Sequence, residues 1–259
     1  MTQILKNKHY DRPSVFEPAN LLEAARRQRT LPSGAVPDVC VLDPDGDLFR
    51  HLRESGAPRN PYWACYHTEL YEIEIDGETA GVLGCAVGAS FAVLVAEELF
   101  NSGCRVLISI TSAGQIVPAG QPPYFVLIDR ALRDEGTSYH YLPPTTYVNI
   151  PKDMLAVGQT LVASEGNIVQ GGVWTTDAPF RETEEAIAFA RSEGLLAVEM
   201  EAAALYALAE AKNVAIVCFA HVTNQLATVE NDFEKGEKDG NTAMVDLISR
   251  VVRQWREVQ

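Results

Sequence analysis

AVEMEAAALY, residues 197–206, places two carboxylates where an apolar run stops and an alanine-rich helix starts. A carboxylate is costly to bury unless hydrogen-bond donors surround it. Sugar hydroxyls are such donors, and a methionine side chain offers a soft apolar surface to the face of a sugar ring. Glu199, Met200 and Glu201 are therefore candidate sugar-binding residues. A plain helix start is the alternative interpretation, because the helix dipole favours acids in the first turn.

The charge balance limits the partners of the chain. Its 259 residues carry a formal net charge of −14, whereas binding to a nucleic-acid backbone requires a basic surface. We therefore expect neither nucleic acid nor an anionic membrane as partner. A small anionic ligand remains compatible with this charge, because a few local donors suffice to hold it.

The cysteines and the first residues bear on location. The five cysteines are an odd number without a C-x-x-C pair, which is typical of reduced thiols in the cytoplasm. Residues 1–10 contain no apolar signal core, and no apolar run is long enough to span a bilayer. We therefore expect a cytoplasmic protein.

Apolar runs with strand character alternate with helical patterns along the chain. Strands are predicted at 36–42, 66–75, 79–86, 105–110, 124–131, 168–175, 195–198 and 214–222. Helices are predicted at 18–28, 48–54, 88–101, 182–192, 200–212 and 241–257. This alternation indicates an α/β fold with a mixed, mostly parallel sheet and helices on both faces.

Two connecting segments and the domain organisation complete the prediction. Residues 111–114 are predicted to form a tight turn, and 133–157 an irregular loop with a functional or interface role. Its first part, 133–141, is expected at a subunit interface or at the rim of a pocket. In the absence of a repeat or linker, we expect a single domain over 1–259. Residues 1–35 form its N-terminal arm and 241–257 its C-terminal helix.

Small polar segments follow four of the predicted strands, at 45–47, 111–114, 175–177 and 223–224. Ligands of open α/β sheets bind beyond the carboxyl ends of the strands. Hydroxyl, amide and acid groups from four strand ends fit one shared pocket, which favours an enzyme site.

The order of five short motifs resembles the nucleoside phosphorylase family. These motifs are Pro44-Asp45-Gly46-Asp47 with Arg50, Gly88-Ala89-Ser90, Ser112-Ala113-Gly114, Thr176-Asp177-Ala178 and Val198-Glu199-Met200-Glu201-Ala202. The family includes purine nucleoside, uridine and methylthioadenosine phosphorylases and related nucleosidases. The resemblance covers about residues 36–225. It implies a three-layer α/β/α sandwich with a mixed, barrel-like central sheet, assembled as a homo-oligomer from dimer to hexamer.

The resemblance also implies roles for individual residues. Glu201 would accept hydrogen bonds from the ribose 2′- and 3′-hydroxyls, Met200 would pack on the sugar, and Glu199 would support both. Ser112 would contribute to the ribose and phosphate subsites. The other implied phosphate residues are Gly46, Arg50, Ser109 and His67. The implied base-binding residues are Ala113, Gly114, Phe180, Arg181 and Asn224.

Two departures from the family pattern weaken the phosphate site. Phosphorylases commonly carry an arginine where this chain has Ser109, and a second arginine, lent by the neighbouring subunit, where it has Tyr66 and His67. A partly protonated His67 could substitute as a donor. The nucleosidase branch also lacks the first arginine, so hydrolysis is a serious alternative.

The residue at the end of the last strand indicates the class of base. Family members that act on 6-aminopurines often have an aspartate there, whereas this chain has Asn224. An amide can hydrogen-bond a carbonyl-bearing base but delivers no carboxyl proton. A 6-oxopurine or a pyrimidine is therefore favoured, although the insertion typical of uridine phosphorylases is missing.

Three functions remain open from the sequence. The first is phosphorolysis of a nucleoside, with Glu201, Asn224 and Arg50 as catalytic residues and inorganic phosphate as co-substrate. The histidine spacing matches no metal site, and neither a metal nor an organic cofactor is expected. The second is hydrolysis of the same bond by a nucleosidase. The third is nucleoside binding without catalysis.

Overall fold

A computed structural model of the chain describes residues 3–164, 167–226, 232, 235 and 237–258. Within these ranges the strands are β1 (Val39–Asp43), β2 (Tyr71–Ile75), β3 (Glu78–Gly84), β4 (Val106–Gln115), β5 (Tyr124–Asp134), β6 (Tyr147–Asn149), β7 (Ile168–Thr176), β8 (Ala197–Glu199) and β9 (Ala215–Asn224). The helices are α1 (Pro18–Arg29), α2 (Asp47–Glu54), α3 (Ala89–Asn101), α4 (Lys152–Ser164), α5 (Glu184–Ser192), α6 (Ala202–Lys212) and α7 (Asn241–Glu257).

Five of the strands close into a barrel. β4 pairs with β8, β8 with β7, β7 with β5, β5 with β9, and β9 returns to β4. β1, β3 and β2 extend the sheet from β4, and β6 extends it from β5. The mixed, barrel-like sheet implied by the resemblance is confirmed. Strands β4 and β9 are buried almost throughout, as expected where helices cover both faces of a parallel pair.

Residues 111–114 do not form the predicted turn. They continue β4, which pairs in parallel with β9 up to the register Gly114↔Asn224 and meets β8 at Gly114↔Val198. The register shifts between Ala113 and Gly114, and such a bulge re-aims the strand next to a site. Small polar residues indicated a turn, but their long-range pairing prevails over local propensity.

The segment 133–157 is also more regular than predicted. It contains β6 and the start of α4, of which Met154, Val157 and Leu161 are buried. Their spacing of three and four residues is a helical signal that the prolines of this segment obscured. A Cβ at Gly158 would lie 2.5 Å from Leu127, so this glycine allows α4 to pack closely on β5. The remaining helices and strands are confirmed, with boundaries that differ by a few residues.

Helix α6 is buried along most of its length. Its residues from Ala202 to Ala209 are all buried, and its alanines let neighbouring elements pack closely against it. Tyr206 is fully buried, and its hydroxyl donates to the carbonyl of Ile128 at 2.6 Å and accepts from the N–H of Cys218 at 3.1 Å. This hydroxyl ties α6 to β5 and β9. Among the described helices, none is long and apolar enough to cross a bilayer.

We expect Tyr206→Phe to lower the free energy of unfolding by about 1–3 kcal/mol, because it leaves a buried carbonyl and a buried N–H without their partner. Urea denaturation measures the change. The control is Tyr66→Phe, which removes an exposed hydroxyl that bonds Gln28 and should change stability by less than about 0.5 kcal/mol. Equal effects of the two substitutions would contradict the role of the buried hydroxyl.

Candidate active site

Glu199 closes the N-terminal end of α6. Its Oε2 accepts hydrogen bonds from the N–H groups of Glu201 and Ala202, both at 2.7 Å, and its Oε1 accepts one from the hydroxyl of Thr175. The first N–H groups of a helix have no partner inside the helix, so this carboxylate satisfies two of them. The side chain is 3% exposed. Burial raises the pKa of Glu199, and these three donors counteract the rise.

Glu201 lies at the junction of β4, α3 and α6, and it is 1% exposed. Its Oε1 accepts from the N–H of Gly88 at 2.6 Å, and its Oε2 accepts from the hydroxyl of Thr111 at 2.9 Å. Burial and then the negative charge of Glu199 raise the pKa of Glu201. A carboxylate has about four acceptor positions, so each oxygen can accept a second hydrogen bond. A ligand with two hydroxyl groups could donate one such hydrogen bond to each oxygen.

A second group of residues lies at the turn between β1 and α2. The N–H of Gly46 donates to the Asp43 carboxylate at 3.0 Å, and the Arg50 guanidinium donates to Asp47 at 2.8 Å and to Cys85 Sγ at 3.5 Å. Gly46 has a φ of +82°, and a Cβ there would lie 2.4 Å from Cys85 Sγ and 2.9 Å from Arg50 Nη1. Only glycine therefore permits this turn and the close approach of the arginine.

Ser112 joins this turn to β4. Its N–H donates to Asp45 Oδ2 at 2.7 Å. The structure thus brings Gly46, Arg50 and Ser112 together where the carboxyl end of β1 meets the second half of β4. Glu201 is close to this group, since its partner Thr111 precedes Ser112 in β4.

The two remaining phosphate candidates lie elsewhere. Ser109 is buried within β4, in register with Leu42 of β1 and Cys218 of β9, three residues before Ser112. His67 is exposed, and its ring centroid lies 6.3 Å from that of Phe91 in α3. Within one chain, neither residue joins the group formed by Gly46, Arg50 and Ser112.

The candidate base-binding residues divide into two sets. Ala113, Gly114 and Asn224 lie together, because Asn224 pairs with Gly114 and its Nδ2 donates to the Ala113 carbonyl at 3.4 Å. Phe180 and Arg181 are exposed on a short 3-10 helix, Pro179–Arg181, and the Phe180 side chain is 99% exposed. Among the residues that the structure describes, the Phe180 ring therefore has no packing partner.

Asp177, just before that short helix, holds a loop. Its carboxylate accepts from the N–H of Gly136 at 2.8 Å, and a Cβ at Gly136 would lie 3.3 Å from Ile4. Nearby, Lys8 Nζ lies 2.7 Å from His140 Nδ1. The N-terminal residues thus pack on the loop at 133–141, next to the segment that carries Phe180.

The sequence did not identify four residues as hydrogen-bond partners of Glu199, Glu201 or Ser112. They are Asp45, Gly88, Thr111 and Thr175. All four lie in the motifs or polar strand ends described in the sequence analysis. Their partners lie far away along the chain, so no local sequence pattern could pair them. Met200 is half-buried in the bend between Glu199 and α6. Among the described residues, no group of three or more His, Cys, Asp or Glu is arranged to hold a metal ion.

We expect the stability of the protein, relative to Glu201→Gln, to fall as the pH rises above the ordinary glutamate pKa of 4.5. Because the folded pKa of Glu201 is raised, the folded state holds a proton that the unfolded state loses in this range. The difference should level off above the folded pKa. Chemical denaturation of both proteins from pH 4 to pH 9 measures it, at about 1.4 kcal/mol per pH unit at most.

A second variant tests the assignment of the titration to Glu201. Thr111→Val removes a hydroxyl that lowers the pKa of Glu201, so it should extend the decline to higher pH. A wild-type protein that gains stability over Glu201→Gln with rising pH would contradict the raised pKa.

Comparisons with known proteins agree with the fold and the motifs. The sequence profile of the Phosphorylase superfamily matches residues 38–253. The chain is 27% identical to a guanosine phosphorylase of Halorubrum lacusprofundi, over 80% of this chain and 78% of that protein. The fold is similar to a uridine phosphorylase of Vibrio fischeri (TM-score 0.70, 18% identity, 86% and 93% of the two chains). It is also similar to an AMP nucleosidase of Bacteroides thetaiotaomicron (TM-score 0.68, 18% identity, 86% and 92%). The chain is a member of the phosphorylase superfamily, the family of nucleoside phosphorylases and nucleosidases.

Proposed function

We propose that this protein is a nucleoside phosphorylase, which cleaves the N-glycosidic bond of a ribonucleoside with inorganic phosphate. The observation that carries the proposal is the position of Glu201. Its buried carboxylate keeps spare acceptor capacity beside the group formed by Gly46, Arg50 and Ser112. A vicinal diol and an anionic acceptor would then be held side by side. The similarity to a guanosine phosphorylase over 80% of the chain supports this choice.

The proposed reaction proceeds through an oxocarbenium-like state. The C1′–N bond breaks with its electron pair leaving on the base, and a phosphate oxygen forms the new bond to C1′. Glu201 holds the 2′- and 3′-hydroxyls, and Met200 packs on the sugar. Arg50 offers a planar set of donors to the phosphate. Orientation and electrostatic stabilisation then supply the rate enhancement, without a covalent enzyme intermediate.

The proposed base carries a carbonyl group. Asn224 is buried at the end of β9, and its amide lies against the Ala113 carbonyl and the N–H of Leu226. A side-chain amide donates to a carbonyl oxygen but supplies no acidic proton. We therefore propose a 6-oxopurine or pyrimidine nucleoside as substrate. Phe180 and Arg181 would contact the base from their exposed helix.

Hydrolysis is the second candidate, and the acids of the β1–α2 turn favour it. The N–H of Gly46 is bonded to Asp43, that of Ser112 to Asp45, and Arg50 is paired with Asp47. A phosphate dianion must compete with these carboxylates for its donors, whereas water meets no such repulsion. Ser109 in place of an arginine weakens the phosphate site further. The fold is also shared with an AMP nucleosidase.

The proposal also covers the co-substrate, the cellular compartment and the assembly of the protein. Phosphate is the co-substrate, and no metal or organic cofactor takes part. The protein acts in the cytoplasm as a homo-oligomer, where an exposed residue such as His67 could reach a neighbouring active site. Five cysteines without a disulfide support a reducing compartment.

The acceptor is tested by incubating the protein with inosine, guanosine, adenosine and uridine, each with and without phosphate. We expect free base and ribose 1-phosphate only when phosphate is present, with adenosine the poorest purine substrate. Chromatography of base and sugar products measures both. Base release at the same rate without phosphate would replace phosphorolysis by hydrolysis. No release from any nucleoside would leave a binding protein without catalysis.

Contact between Glu201 and the sugar hydroxyls is tested by a thermodynamic cycle, in which two substrates are compared on the wild type and on Glu201→Gln. At a pH above the raised pKa of Glu201, where its carboxylate is ionised, we expect the loss of kcat/KM from inosine to 2′,3′-dideoxyinosine to be about 10²-fold larger in the wild type than in Glu201→Gln, because hydrogen bonds to a charged group contribute about 1.5–3 kcal/mol each. The intrinsic reactivity of the two nucleosides cancels in this ratio. Equal losses in both enzymes would place the sugar hydroxyls away from Glu201.

A further inference from the structure

We propose that Asp45 determines which acceptor this active site uses, because its carboxylate occupies the main-chain N–H of Ser112 that an incoming phosphate needs. This inference rests on the proposed function and adds a specificity-determining residue to it. In this arrangement phosphate binds only when the Asp45 side chain leaves Ser112. The residue therefore weakens phosphate binding and leaves water unaffected.

The contact itself is a charge-assisted hydrogen bond. Asp45 Oδ2 lies 2.7 Å from the N of Ser112, a length typical of a carboxylate on an N–H donor. The Asp45 side chain is only half-buried, so it has room to turn towards solvent. Burial and the charge of Glu199 raise the pKa of Glu201, and the charge of Asp45 adds to that rise. Asp45 thus lies between the proposed sugar and acceptor subsites.

The other two acids of the turn have different tasks. Asp43 is buried and accepts from the N–H groups of Gly46 and Phe49, both at 3.0 Å, so it shapes the turn and the start of α2. Asp47 forms ion pairs with Arg50 and with Lys235, and two cations neutralise it. Asp45 is bonded to a neutral N–H, and its negative charge therefore faces an incoming anion.

Charge balance explains why this one residue affects the acceptor. The turn carries three carboxylates, and among the residues that the structure describes, the cations paired with it are Arg50 and Lys235. Like charges at contact distance repel one another even near a protein surface, so a phosphate dianion at Ser112 is opposed by Asp45. Removing that one negative charge leaves the cations and the acids of the turn in closer balance and frees the N–H for the anion.

The test measures binding of inorganic phosphate alone, without nucleoside, by isothermal titration calorimetry. Asp45→Asn removes the charge and keeps an oxygen that can accept from Ser112, whereas Asp45→Ala removes both the charge and the hydrogen bond. We expect both variants to bind phosphate at least about tenfold more tightly than the wild type, with the alanine variant the tighter of the two. In enzyme assays the same variants should show a lower KM for phosphate.

The control for net charge is Asp38→Asn. Asp38 precedes the opposite end of β1 and pairs with Arg105 and Arg256, so its neutralisation should leave phosphate affinity unchanged. Thermal unfolding confirms that each variant is folded. Equal or weaker phosphate binding by both Asp45 variants overturns the inference. Because the measurement needs no turnover, a protein that cleaves no nucleoside refutes the proposed function while the role of Asp45 is still decided by binding.

Discussion

The burial of two carboxylates two residues apart is the constraint on which the site depends. Each ionised group needs donors, and the chain supplies them from separate elements. Glu199 takes the free N–H groups at the start of α6 and the hydroxyl of Thr175. With Glu199 committed to the helix, Glu201 meets Gly88 before α3 and Thr111 in β4. The acid that faces the proposed sugar is thus positioned by the acid that caps the helix.

The closed barrel brings the partners of these hydrogen bonds within reach of one another. β8 has only three residues, yet it pairs with both β4 and β7. It therefore places Glu199 between these two strands of the closed barrel. The same pairing brings Thr175 of β7 and Thr111 of β4 to opposite sides of the acidic pair. A bulge between Ala113 and Gly114 then places Asn224 against β4. The second half of β4 therefore carries, in succession, the Glu201 partner Thr111, the acceptor candidate Ser112 and the base candidates Ala113 and Gly114.

Much of this arrangement could be predicted from the sequence, because burial and periodicity are local signals. Apolar spacing predicts most of the helices and strands. The acidic motif at 199–201 is recognisable because carboxylates are costly to bury without hydrogen-bond donors. The extension of β4 over 111–114 and the helix α4 were missed, since pairing with distant strands and packing on β5 override local turn signals. The donors to Glu201 lie 90 and 113 residues away from it. No pattern within a window could have paired them.

The proposed acceptor subsite differs from the proposed sugar subsite in what sets its chemistry. Glu201 is surrounded by donors from several elements, so its position is fixed by the fold and would serve any enzyme that holds a diol. The β1–α2 turn instead sets the acids Asp43, Asp45 and Asp47 against two paired cations, Arg50 and Lys235. One substitution there changes the local charge by a full unit without moving a strand. Under our proposal, the charge of this single turn can therefore change the acceptor while the sugar site stays the same.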